Sequence, residues 1–158
     1  MATIEKEIGE LLRQKGLTLG TVESATGGLI SHMITNVPGS SDYFKGAIIS
    51  YANETKMKVV GVKEATLKRY GAVSQQVAEE MAKGGREVLR VDICLSDTGI
   101  AGPGGATQGK GVGLFYLGMA SKDGVLTQKH EFHGSREGNK NSAATAALEW
   151  LKEYLISL

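Results

Sequence analysis

A single cysteine, two prolines and three histidines are all that 158 residues contain of these types. Cys94 alone cannot form an internal disulfide, and its place in the apolar run Val91–Leu95 suits a buried strand, so a reducing compartment is expected. The histidines offer no ligand pair except His130 with His133, which would point to opposite faces of an extended strand. No metal and no cofactor are expected. Excess charge is also missing: 18 Lys plus Arg stand against 17 Asp plus Glu. That balance lacks the basic footprint of nucleic-acid binding and favours a small-molecule partner. No apolar run approaches the roughly 18 residues of a membrane span, and Met1–Glu7 has no apolar signal core. The expectation is a soluble cytoplasmic protein that contacts no membrane, organised as one domain over residues 1–158.

Glycine, by contrast, is abundant at 22 residues, and its placement suggests element ends and tight turns rather than a linker. Ile4, Ile8, Leu11 and Leu12 recur at helical spacing between a capping Thr3 and a terminating Gly16. Leu17–Val22 reads as a strand and about Gly27–Asn36 as a helix, with Ser24 in the turn between them. Pro38-Gly39-Ser40-Ser41 is a loop, and Gly46–Tyr51 reads as a buried strand. Asn53 is expected to cap a helix running to about Val60. Another helix covers Glu64–Tyr70, and a longer one follows the cap Ser74, with Val77, Ala78, Met81, Val88 and Leu89 inward. Val91–Asp97 has the near-continuous apolar character of a central strand. Val112–Ala120 and Val125–Phe132 form a hairpin around Asp123-Gly124, and a long helix carries Ala143 to Leu155. These elements predict an α/β fold, a three-layer α/β/α sandwich with a mixed sheet of about five strands.

Thr21-Val22-Glu23-Ser24-Ala25-Thr26-Gly27-Gly28 ends a strand and opens a helix, where α/β proteins bind ligands. A serine hydroxyl there needs a base, and no histidine has a triad context. Lys56 is an alternative base: in the first turn of a helix, the positive end of the macrodipole disfavours its ammonium. Tyr51 could relay a proton or orient a substrate amide. Plain structural roles remain open for all three: a turn residue, a sheet-edge aromatic and a solvated charge beside Glu54. The loop Thr98-Gly99-Ile100-Ala101-Gly102-Pro103-Gly104-Gly105 is neither a Walker loop nor a dinucleotide fingerprint. It reads equally as a cradle for phosphate or ribose and as a stiff strand exit. Ser40 and Ser41 suit phosphate or capping. Arg136, with Lys140 one turn on, is an anion-binding candidate or a solvated helix start.

Taken together, Glu23–Gly28, Pro38–Ser41 with Tyr43-Phe44, Ser50–Lys56, Gly71–Ser74 and Thr98–Gly105 resemble one family along essentially the whole chain. It is the family of CinA C-terminal domains, which includes nicotinamide mononucleotide amidohydrolases. The resemblance implies hydrolysis of the carboxamide of that nucleotide to the acid and ammonia, a step of pyridine nucleotide salvage. It points to Ser24 as nucleophile with Lys56 and Tyr51 as partners. Thr26, Gly27 and Gly28 would stabilise the oxyanion through their N–H groups. Substrate contacts are expected from these residues and from Ser40, Ser41, Thr98, Gly99, Ala101, Gly102, Gly104 and Arg136. A homodimer sharing a sheet edge is expected as well. The chain departs from the family pattern at Ala25, usually cysteine, at Gln108–Gly113, commonly holding a Lys-Pro pair, and at Lys140, where arginine tends to occur. The alternatives are a nucleotide-binding or interaction module without turnover, and an amidase for an unrelated amide.

Overall fold

The computed structural model describes residues 2–158. Helix α1 spans Ile4–Lys15; Thr3 accepts from the Lys6 N–H at its start, and Gly16, at φ 65°, ends it in the left-handed region. Strand β1 is Leu19–Glu23, helix α2 Leu29–Thr35, and a 3-10 turn over Ser40–Asp42 leads into β2, Phe44–Ile49. Helices α3 (Asn53–Val60), α4 (Glu64–Tyr70) and α5 (Gln75–Leu89) follow before β3, Ile93–Gly99. The hairpin of β4 (Leu114–Ser121) and β5 (Gly124–Glu131) then leads to α6, Arg136–Ser157.

The strands form one five-stranded sheet in the order β2-β1-β3-β4-β5. β1 is parallel to β2 and β3, whereas β4 is antiparallel to β3 and β5. The sheet is therefore mixed, and helices cover both faces as the apolar pattern predicts. Leu19, Leu95, Leu117 and Met119 meet α1, α2 and α6 on one face. Val22 and Cys94 meet Val60, Val77 and Met81 of α3 and α5 on the other. The chain leaves β1 over one face through α2 and leaves β2 over the other through α3 to α5. Their carboxyl ends thus lie beside a topological switch point, the position where such sheets bind ligands.

Four local expectations need correction. β2 starts and ends two residues before the expected Gly46–Tyr51 and lies at the sheet edge, its exposure alternating, with Ile49 half exposed. Asn53 is the first residue of α3 rather than its cap, which is Ala52 and has no side-chain bond. Val88 points outward, 54% exposed, because the helical stripe of α5 closes over Val77, Met81 and Gly85 instead. Nor do the glycines lie only at element ends: Gly9, Gly84 and Gly85 sit inside helices, and Gly20 and Gly118 inside strands. Among the described residues, no helix is long and apolar enough to cross a membrane.

Gly84 shows why a helix interior tolerates glycine. A Cβ there would fall 1.8 Å from the Val60 carbonyl oxygen, so its absence lets α5 approach the end of α3. Replacement by alanine gains about 1 kcal/mol of helix propensity. It also forces two backbones apart, and overpacking of this kind costs about 1 to 3 kcal/mol. We expect Gly84→Ala to lower stability in urea titration and to displace α3; an unchanged or raised midpoint would show that this packing is dispensable.

Candidate active site

Beyond Glu23 the chain turns sharply, with Gly27 at φ 60° and Gly28 at φ 106°, and enters α2. Two fully buried carboxylates hold this turn from inside. Glu23 accepts from the N–H groups of Gly28, Ile30 and Ser31 at 3.1, 2.9 and 3.0 Å, and lies 2.7 Å from the Thr26 hydroxyl. Asp97, from β3, accepts the N–H groups of Ser24 and Thr26, each at 3.1 Å. Burial pushes the Asp97 carboxyl up to about 6, aided by the nearby Glu23 charge and opposed by its bonds to Thr26 and Ser24. The Gly27 N–H is bonded to the Ser24 carbonyl at 3.0 Å. The expected oxyanion donors Thr26, Gly27 and Gly28 are therefore all engaged within the turn. Among the described residues, the Ala25 N–H is the only donor from Ser24 to Gly28 without a protein partner.

The ladder continues past both strands, for the Ser50 N–H donates to the Glu23 carbonyl at 2.9 Å and sets Ser50 beside Ser24. The first turn of α3 then aims Lys56 back at this edge. Its side chain is 1% exposed, and Nζ lies 3.0 Å from Ser24 Oγ, 2.9 Å from the Ser50 carbonyl and 3.0 Å from that of Tyr51. A neutral amine matches these partners group by group: two N–H bonds reach the carbonyls, and the lone pair faces the Ser24 hydroxyl. Burial lowers the Lys56 pKa, with the Asp97 charge acting the other way. The side chain's removal from water is thus the main cause, in place of the Asn53-capped helix start inferred from sequence.

Ser24 and Lys56 open onto a cavity of about 290 Å³ at the carboxyl edge. Of the residues singled out from sequence, Tyr51, Thr98, Gly99, Ala101, Gly102, Gly104 and Arg136 also line it; Thr26, Gly27, Gly28, Ser40 and Ser41 do not. Ser40 and Ser41 precede β2 and therefore sit at the opposite end of that strand, where Arg13 bonds the Gly39 carbonyl at 2.9 Å. Tyr51 touches Lys56 through its carbonyl, while its phenol, in a residue 61% exposed, accepts from Arg136 at 3.1 Å. Arg136 also bonds the Gly102 carbonyl at 2.8 Å and so links the two sides of the mouth. None of the three histidines lines the cavity.

Sequence reasoning passed over several contributors. Asn53, Ala72 and Val73 also line the cavity, and Thr98 ties that loop down through the Ala72 carbonyl at 2.8 Å. Asn139, fully buried, accepts the Gly134 N–H at 2.9 Å and donates to the Ala101 carbonyl at 3.0 Å, pinning the glycine loop to α6. Asp97 had a detectable signal as a polar residue at the end of the Ile93 and Leu95 stripe, and Asn139 a weaker one, one turn before the stripe of Ala143, Ala147 and Leu151. A roomier cavity of about 390 Å³, at the other end of the sheet between Lys15, Arg86 and Tyr154, has no comparable pairing of serine hydroxyl and buried amine.

Residues 1–155 match the family profile described as the CinA C-terminal domain. A putative competence-damage inducible protein of Caldicellulosiruptor saccharolyticus is 48% identical over 98% of the chain, and a CinA-like protein of Geobacter sulfurreducens is 44% identical over 98%. The chain spans 38% of the length of each. Among solved structures, the competence/damage inducible protein CihA of Agrobacterium tumefaciens superposes with a TM-score of 0.85 at 36% identity, covering 96% of this chain and 97% of that one. A CinA superfamily protein of Klebsiella pneumoniae gives 0.95 at 26% identity, with 98% and 97% covered.

The pairing of hydroxyl and amine can be tested without a substrate. A fluorophosphonate serine probe should label Ser24, faster as pH rises and reaching a plateau below the ordinary lysine range, because the neutral amine is the active form. Lys56→Met should slow labelling by about 100-fold or more, the scale of a lost general base. Equal labelling of this variant would separate Ser24 reactivity from Lys56.

Proposed function

Since the chain belongs to the CinA C-terminal domain family and seats a serine hydroxyl on a buried amine, we propose that it hydrolyses the carboxamide of nicotinamide mononucleotide, releasing nicotinic acid mononucleotide and ammonia. The observation that carries this reading is the 3.0 Å approach of Lys56 Nζ to Ser24 Oγ, with two backbone carbonyls taking the other bonds. Neutral Lys56 takes the Ser24 proton as Oγ attacks the amide carbon. The Ala25 N–H, adjacent to the nucleophile, donates to the oxyanion, a contribution of roughly 3 to 4 kcal/mol per donor in comparable sites. Lys56 returns the proton to the departing ammonia. Water then cleaves the acyl-enzyme with the same amine as base.

The cavity volume is at the lower end of ligand sites, which suits the pyridine amide inside and the phosphate at the rim. Arg136 stands at that rim and is the proposed phosphate contact. Tyr51 contributes its carbonyl to the Lys56 seat and its phenol to the Arg136 link. The reading includes a cytoplasmic homodimer acting on a small-molecule nucleotide.

Purified protein should release ammonia from nicotinamide mononucleotide without added metal, and Ser24→Ala and Lys56→Ala should each abolish release while the fold persists. Wild-type activity in either variant would defeat the mechanism; tight binding without ammonia release would favour a non-catalytic nucleotide module. Arg136→Ala should raise KM about tenfold for the nucleotide, the scale of one charge-assisted bond, with less effect on the nucleoside. An equal loss for both would remove Arg136 from the phosphate.

A further inference from the structure

Thr26 Oγ1 lies 2.7 Å from Glu23 Oε1 and 2.5 Å from Asp97 Oδ1. A threonine hydroxyl carries one hydrogen, and an ionised carboxylate carries none. Two oxygen contacts this short therefore require a second hydrogen. Glu23 is poorly placed to hold it, because Oε1 receives the Gly28 and Ile30 N–H groups and Oε2 receives the N–H and hydroxyl of Ser31. Asp97 receives a single N–H on each oxygen, and its Oδ1 makes the shorter contact with Thr26. The glutamate environment thus suits an anion, and the aspartate environment suits a neutral acid.

We infer that Asp97 is a protonated carboxylic acid that donates to Thr26 Oγ1, that Thr26 donates in turn to Glu23, and that this chain of protons governs the charge of Lys56. Asp97 is a positioning residue. Its two carboxyl oxygens hold the Ser24 and Thr26 N–H groups, and for as long as it keeps its proton it adds no anion that would favour the Lys56 ammonium. The charged groups facing this arrangement are Glu23 from β1, Lys56 from α3, and Lys140 and Arg136 from α6, Lys140 on the outer side of the Gly27 turn. Loss of the Asp97 proton leaves two buried carboxylates flanking one hydroxyl and strengthens the field that holds a proton on Lys56.

The consequence for Lys56 rests on its proposed role as base, whereas the protonation of Asp97 does not, so two readouts separate them. Infrared spectra of the intact protein, taken between the ordinary carboxylate range near 4 and the Asp97 value of about 6, should contain a protonated buried carboxyl band. The band should disappear on raising the pH and be absent from Asp97→Asn. Thr26→Val should shift it, and Thr26→Ser should restore its position, which keeps the test decisive even where Asp97→Asn folds poorly. A missing band in the wild type, or one that survives in Asp97→Asn or ignores Thr26→Val, overturns the protonated acid. In kcat/KM profiles above about 6, where wild-type Asp97 has lost its proton, the acid limb of Asp97→Asn should move about one unit lower, since the variant cannot form that anion opposite Lys56. A reduced kcat with an unmoved limb overturns the link to Lys56, whatever the infrared result.

Discussion

The buried pair Glu23 and Asp97 is the constraint on which the site depends. Removing a carboxylate from water costs several kcal/mol unless donors replace its hydration. Here the donors are the backbone N–H groups of the turn itself, so solvation of the two carboxyls and the shape of the Ser24 segment are a single problem with a single solution. The N–H groups of Ser24, Thr26, Gly28, Ile30 and Ser31 converge inward. Only the Ala25 N–H and the Ser24 hydroxyl are left to face a ligand.

Lys56 complements this from the other side of the sheet edge. Two carbonyls and the Ser24 hydroxyl can satisfy either its ammonium or its amine, and the large desolvation cost of the ammonium is what favours the amine. The carbonyls come from Ser50 and Tyr51, just past the end of edge strand β2, where the backbone leaves the ladder and has acceptors to spare. A strand two residues longer would turn one of them toward β1 and the other to the open edge. The early end of β2 is therefore part of how the site is built, as is the close approach at Gly84 that lets α3 settle against α5.

At the mouth, a few polar ties fix loops that have little apolar anchorage. Asn139 holds the glycine loop, Thr98 holds the Ala72 segment, and Arg136 spans from Tyr51 to Gly102. Gly99 contributes differently: a Cβ there would lie 2.3 Å from the Phe115 ring, so the strand exit can pass over that ring only as glycine.

Local pattern was enough for the elements. Apolar spacing with Thr3 and Gly16 defined α1, Ser74 opened α5, and Asp123-Gly124 marked the hairpin, because each depends on neighbours a few residues away. The motif order also disclosed the family and the prominence of Ser24 and Lys56. Other features depended on tertiary structure, since their partners are far apart in the chain. Asp97 meets Ser24 across 73 positions, and the Lys56 pKa is lowered by burial rather than by its place in a helix. Exposed Val88, the edge position of β2 and the engaged N–H groups of Thr26, Gly27 and Gly28 likewise follow from register and packing. Periodicity tells which face of an element is apolar, but only the assembled sheet decides which polar groups are cut off from water and must satisfy one another.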